Sequence, residues 1–237
     1  LADGERIPVS TAIHAVGGLS YETDDLLFDI EAYYKSLGGL TEFAPRILPG
    51  EGIDYNQFFY QGDGTARGIE FLLQKKTGSL SGWLSYTLAE VEYNFPDLAD
   101  EPFPALQDQT HEFKLVGLYE IGNWTFSSTW IYATGKPYTE PVGIEEIEMF
   151  NGRIRERVVA GDKNGGRLPA YHRMDLSANY SFSFGDTDKS SLGLTIFNLY
   201  DRKNVWYKEF DVLEGEILES DFNLMGLTFN LFLNVKF

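Results

Sequence analysis

The sequence of 237 residues contains no cysteine, only three histidines and no run of 18 apolar residues. The first absence removes disulfide frameworks, thiolate metal sites and cysteine nucleophiles. The last removes a membrane-spanning helix, and the segment from Leu1 lacks the basic and apolar regions of a secretory leader. Basic residues are scarce as well: 19 Lys and Arg stand against 36 Asp and Glu, a net charge of -17. Nucleic acid is therefore excluded as a partner, because binding it depends on neutralising phosphates. Aromatic residues are plentiful at 15%, with 14 Tyr, 18 Phe and 24 Gly, a composition that favours strands and turns.

Apolar and polar residues alternate in segments of about ten. Between Leu26 and Lys35, one parity holds Leu26, Phe28, Ile30, Ala32 and Tyr34, and the other holds Asp29, Glu31 and Lys35. From His172 to Phe184 the apolar set Met174, Leu176, Ala178, Tyr180 and Phe182 alternates with Arg173, Asp175, Ser177, Asn179 and Ser181. The C-terminal segment sets Leu227, Phe229, Leu231, Leu233 and Val235 against Thr228, Asn230 and Asn234. Nine strands are expected near 12–22, 26–36, 64–76, 80–93, 108–120, 124–134, 170–184, 191–200 and 224–237. Their connections are alternately short and long, the long ones near 37–63, 94–107, 135–169 and 201–223. A soluble sandwich or lipocalin-like barrel also alternates, but it has no reason to keep this asymmetry; an outer-membrane barrel does. The expected fold is all-β, a transmembrane antiparallel barrel with long extracellular loops. With an odd number of strands the first and last run parallel, so the chain reads as part of a larger barrel.

Several stretches then carry a family resemblance. GTARGIEFLLQKKTG (Gly64 to Gly78), LSGWLSYTLAEVE (Leu80 to Glu92), DQTHEFKLVGLYEIGNW (Asp108 to Trp124) and TGKPYTEP (Thr134 to Pro141) come first. RLPAYHRMDLSANYSF (Arg167 to Phe182), IFNLYDRKN (Ile196 to Asn204) and the terminal strand ending at Phe237 follow in order. Together they resemble the C-terminal part of the β-barrel of TonB-dependent outer-membrane receptors, most of all Bacteroidota members. The resemblance implies about nine strands of a 22-stranded barrel, with residues 1–237 as its C-terminal portion and the plug and earlier strands lying upstream. It also implies residence in the bacterial outer membrane and import of a scarce nutrient (a metal chelate, cobalamin, saccharide or peptide) with TonB-supplied energy. The implied partners are outer-membrane lipid, the plug, the TonB complex and a surface lipoprotein. The alternative is a non-importing barrel with a structural or complex-assembly role.

No catalytic function, metal site or cofactor is expected. Of His14, His111 and His172, the last two fall on the membrane-facing parity near the outer rim, with no nucleophile elbow to serve them. Glu70, Glu112, Lys114, Arg173 and Asp175 are expected on the lumen wall, and Gly68 beside Glu70 marks either a close backbone approach or a bulge. Three loops concentrate the acid: residues 37–63 hold four acids and one base, 94–108 four acids, and 204–223 six acids and one base. A mouth of that charge suits a neutral or cationic ligand. The loop aromatics Tyr55, Phe58, Phe59, Tyr60, Tyr138, Trp206 and Tyr207 are candidates to stack on such a ligand or to pack the loops. Asn151-Gly152 predicts a two-residue hairpin turn, which would pair Glu148 with Arg155 and Glu146 with Arg157 on one face.

Overall fold

Residues alternating with a period of two form strands whose faces meet different surroundings. The computed structural model describes residues 8–43, 59–149, 151–183 and 190–236, and within them every regular element is a strand. In order these are β1 (Thr11–Glu22), β2 (Leu26–Phe43), β3 (Phe59–Lys75), β4 (Leu80–Asn94), β5 (Phe103–Pro104), β6 (His111–Ile121), β7 (Trp124–Ala133) and β8 (Pro137–Tyr138). They continue with β9 (Pro141–Glu148), β10 (Ile154–Ala160), β11 (Gly166–Arg167), β12 (Tyr171–Phe182), β13 (Ser190–Phe197), β14 (Val205–Leu213), β15 (Glu216–Asn223) and β16 (Thr228–Asn234).

The main sheet runs β1-β2-β3-β4-β6-β7-β12-β13-β16, each neighbour antiparallel, with β5 added beside β4. These nine long strands coincide with the nine expected from alternation, though β2 and β3 run on together to the pair Phe43 and Phe59. Nine alternating directions leave β1 and β16 parallel, so these two edges cannot close on each other as antiparallel neighbours. Short turns gather at one end: Thr23 accepts the backbone N–H of Leu26 at 3.0 Å, and Gly78 and Gly122 adopt φ of 88° and 57°.

Register fixes the two faces. Leu19, Ile30, Phe71, Tyr86, Phe113, Tyr132 and His172 share one; the same face carries Leu194 opposite Leu231. Leu231 is 71% exposed and Leu19 75%. Apolar area of that extent is not left to water. Aromatic side chains border it: Tyr119, Trp124, Phe126 and Tyr180 towards the short turns, and Tyr34, Tyr86, Tyr132 and Tyr200 towards the long loops. The opposite face carries Glu31 facing Glu70, Lys114 facing Ile131, Asp175 facing Thr129 and Asn230 facing Thr195.

Gly68 resolves to close approach. It pairs regularly with Tyr33 and Ala89, and a Cβ there would come within 2.7 Å of the Tyr33 hydroxyl. The bulge of this strand pair lies elsewhere, between Leu37 and Leu40.

The hairpin at Asn151-Gly152 exists, but its register differs from expectation by one residue. Ile154 faces Glu148 and Arg155 faces Ile147, while the N–H of Gly152, at φ 75°, donates to Met149 O. Met149 and Arg153 form the last bonded pair before the turn, and Gly152 supplies a left-handed step within it. The two-residue turn with both residues at positive φ occurs instead at Glu214-Gly215, φ 52° and 79°, joining β14 to β15.

Candidate functional site at the loop end

Most of the buried apolar side chains among the described residues lie at the long-loop end of the sheet: Phe95, Phe103, Ala105, Ala133 and Leu168, with Ala66 within β3. Glycine makes room for them. A Cβ on Gly62 would lie 2.6 Å from the Phe95 ring, which stacks on Phe103 at 6.0 Å. Gly135 is tighter still, since a Cβ there would lie 1.6 Å from Leu168 O.

Polar contacts then knit the loops together. Asp108, 2% exposed, accepts the Val91 N–H at 2.7 Å and the Arg167 guanidinium at 2.5 Å. Arg167 also donates to the carbonyls of Asp108 and Gly135. Asn164, at φ 55°, donates its amide to Pro104 O at 2.8 Å, and Lys163 pairs with Glu42. On the next loop Asn198 donates to the carbonyls of Arg202 and Met225, and Asn204 exchanges two hydrogen bonds with the backbone of His172.

The candidate aromatics divide. Tyr138 stacks on Phe210 at 6.1 Å, with Lys208 5.9 Å from its ring centre and its hydroxyl donating to Glu140 at 2.8 Å. Burial first, then the Glu140 bond and charge, push the Tyr138 phenol up to about 12. Lys208 is held above the ordinary lysine value, chiefly by its hydrogen bonds to Glu219 and Asp221. Tyr207 stacks on Phe222 at 4.5 Å, so it packs β14 against β15. Phe59 tilts against Phe43 at 5.2 Å, and Tyr60 faces Glu42 across the strand pair. Trp206 remains 65% exposed. Tyr55 and Phe58 lie outside the described residues.

Trp206 is among the residues lining a cavity of about 300 Å³ where the polar face of the sheet meets the loops. Glu112, Lys114, Lys136, Tyr171 and Leu224 line it as well. Lys114 and Glu112 are paired at 2.8 Å, so donors and acceptors stand together beside an apolar surface. Two strands away Arg173 pairs with Asp175 at 2.9 Å and lies 3.8 Å over the Phe197 ring. Ile131, facing Lys114 on one side and Arg173 on the other, separates the two ion pairs. Glu70 stands farther along the same face. A larger hollow of about 500 Å³ lies beside Gly68, Ala89 and the Asp108–Arg167 pair.

His111 and His172 sit among the aromatics that border the apolar face. His111 Nδ1 lies 2.9 Å from the Tyr86 hydroxyl, and His172 Nδ1 the same distance from that of Tyr200. Their partners are tyrosines, which supply no serine nucleophile of the kind a hydrolase reading requires. His14 sits on the polar face opposite Lys35. Among the described residues, no three side chains of the metal-ligating kind gather into a group.

A sheet of long antiparallel strands, apolar on one side and rimmed by aromatics, with a loop-built cavity on the other, agrees with one family. The family model for the β-barrel of TonB-dependent receptors ("TonB dependent receptor-like, beta-barrel") matches residues 11–199. The chain belongs to the TonB-dependent receptor family. Among solved structures, the receptor barrel fragment is similar to "Copper transporter OprC", with a TM-score of 0.57 and 18% sequence identity. That match covers 95% of this chain and 32% of OprC, so the chain spans about a third of its neighbour's length. At this identity the likeness speaks for the fold. No curated protein matches the sequence.

Sequence reasoning missed the Asp108–Arg167 pair and Asn164, which organise the loops. Their partners are 59 and 60 residues away, and no local pattern signals such contacts. It also missed the β14–β15 hairpin, whose alternation is obscured by its acids.

Proposed function

We propose that the chain forms the C-terminal wall of an outer-membrane receptor that binds a scarce nutrient at its mouth and imports it with TonB-supplied energy. In this reading it supplies strands fourteen to twenty-two of a 22-stranded barrel. Its apolar face meets lipid, and its polar face, with Glu70, Glu112, Lys114, Arg173 and Asp175, lines the lumen around a plug.

The observation that carries the reading is the cavity lined by Trp206. An exposed indole lines the same cavity as a paired cation and carboxylate, where loops give way to wall, the arrangement expected of a first binding station. Aromatic faces accept planar or sugar-like surfaces, while the Lys114–Glu112 pair offers both donors and acceptors to a neutral polar ligand. The acid of the surrounding loops suits neutral or cationic cargo, such as a metal chelate, cobalamin, a saccharide or a peptide. A surface lipoprotein covering the mouth would be compatible with this arrangement.

Uptake tests the proposal. Cells with and without the complete protein are offered radiolabelled cobalamin, a ferric chelate, copper(II), an oligosaccharide and an oligopeptide, each with and without a protonophore. Uptake of one probe that requires the protein, stops with the protonophore and falls on Trp206→Ala is the expected result. Protein-dependent uptake that ignores the protonophore, or no dependence for any probe, would favour a passive or assembly role instead.

A further inference from the structure

The β9–β10 ribbon carries charge that its own pairing leaves unused. In the observed register Glu146, Glu148 and Glu156 share one face, whereas Arg153, Arg155 and Arg157 share the other with Glu145, Ile147 and Met149. A slip of one residue moves every side chain of a strand to the opposite face. The one-residue difference from the two-residue-turn register is therefore what parts Glu146 and Glu148 from Arg155 and Arg157. Glu146 directly faces Glu156, a like-charge pairing that disfavours this register locally. Arg157 is tied to Glu145 at 2.5 Å. Arg153 and Arg155 are exposed and, among the described residues, have no carboxylate partner. A segment that sets aside its best internal pairing and presents two adjacent free guanidiniums breaks a local rule of the kind that marks functional surfaces.

We propose that the arginine face of this ribbon docks an extended acidic peptide segment of a partner protein, with Arg153 and Arg155 each taking one carboxylate. The spacing favours a peptide. Same-face residues two apart on a strand repeat at about 6.6 to 6.8 Å, and a peptide strand with acids at alternate positions has the same repeat, so both pairs form in step. Guanidinium forks hold carboxylates bidentately, and Ile147 and Met149 beside the arginine stems add apolar surface. The ribbon belongs to the long connection between β7 and β12, with Arg153 at its turn, which disfavours a lipid headgroup as occupant. The acidic β14–β15 hairpin packs against the ribbon, so its charge opposes an acidic peptide and binding must come from the two guanidinium forks themselves. The surface is separate from the cavity lined by Trp206 and does not depend on the import reading.

The test uses the complete protein in detergent micelles and a fluorescent octapeptide of alternating Glu and Thr. An isomer with its four Glu in a block, and a polyphosphate of equal charge, are the comparison probes. The alternating peptide is expected to bind more tightly than both and to weaken as salt is raised. Its Kd should rise at least about tenfold in the R153Q/R155Q variant, since each charged hydrogen bond is worth about a factor of ten or more. E146Q/E148Q, on the opposite face, should bind as well as or better than the parent. Unchanged heat-modifiable gel mobility of the barrel shows that the variants are folded. Equal binding of the block isomer, tighter binding of polyphosphate, or a Kd unmoved by R153Q/R155Q would each overturn the proposal.

Discussion

The buried carboxylate of Asp108 is held at 2.5 Å by Arg167, fifty-nine residues later, and this pair fastens the loop after β4 to the strand β11 of the following loop. Arg167 itself is 39% exposed, so solvent screens part of the attraction. Arg167→Met leaves Asp108 with only the Val91 N–H and should cost roughly 1 to 2 kcal/mol of loop stability. The double variant with Asp108→Asn should recover part of that loss, because the uncompensated charge is gone. Limited proteolysis within 95–110 reads the effect; equal cleavage of parent and Arg167→Met would show that the pair holds nothing.

Gly135 lies where the backbone carbonyl of Leu168 leaves no room for a methyl group. Gly135→Ala should therefore pry the two segments apart and cost about 1 to 3 kcal/mol, as overpacking generally does. Gly143→Ala is the matched control, with nothing within 4 Å of the added carbon. Thermal unfolding should separate the two variants. Indistinguishable midpoints would contradict the packing at Gly135.

Tyr138 should ionise near about 12 rather than at the ordinary 10, first because burial penalises the phenolate and next because its hydroxyl is bonded to Glu140. A raised folded value means that this ring supports the loop fully below pH 10 and loses that contribution as pH climbs through the folded value. The absorbance difference between parent and Tyr138→Phe reports the titration directly. Glu140→Gln should move the midpoint downward, and a midpoint near 10 in the parent would mean that the ring is solvated.

The wall was far more legible in sequence than the mouth, for a physical reason. Alternation such as Met174, Leu176 and Ala178 against Asp175, Ser177 and Asn179 repeats every two residues, so each strand announces its two faces without help from its neighbours. Loop structure depends on single long-range contacts, such as Asn164 to Pro104 and Tyr138 to Phe210, which leave no period to read. Turn chemistry misled in an instructive way. Asn151-Gly152 has the composition of a two-residue turn, yet the chain bonds Met149 to Arg153 there and uses Glu214-Gly215 for the tight one. Among the candidate stacking residues, Trp206 stays open while Tyr138 and Tyr207 are spent on loop packing, a division set by β8, β14 and β15 that composition alone does not encode.

Single-cysteine labelling tests most directly whether this sheet is a wall between lipid and a watery passage; these 237 residues hold no cysteine, and the unsubstituted parent sets the background. Leu115→Cys, Leu194→Cys and Leu231→Cys lie on the apolar face; Thr129→Cys, Thr195→Cys and Asn230→Cys lie on the other. In outer-membrane vesicles the first set should resist a charged, membrane-impermeant thiol reagent and react with a lipophilic maleimide, whereas the second set should react with the charged reagent. Labelling that is uniform along β16, or that reaches Leu231→Cys from water while sparing Asn230→Cys, would contradict it.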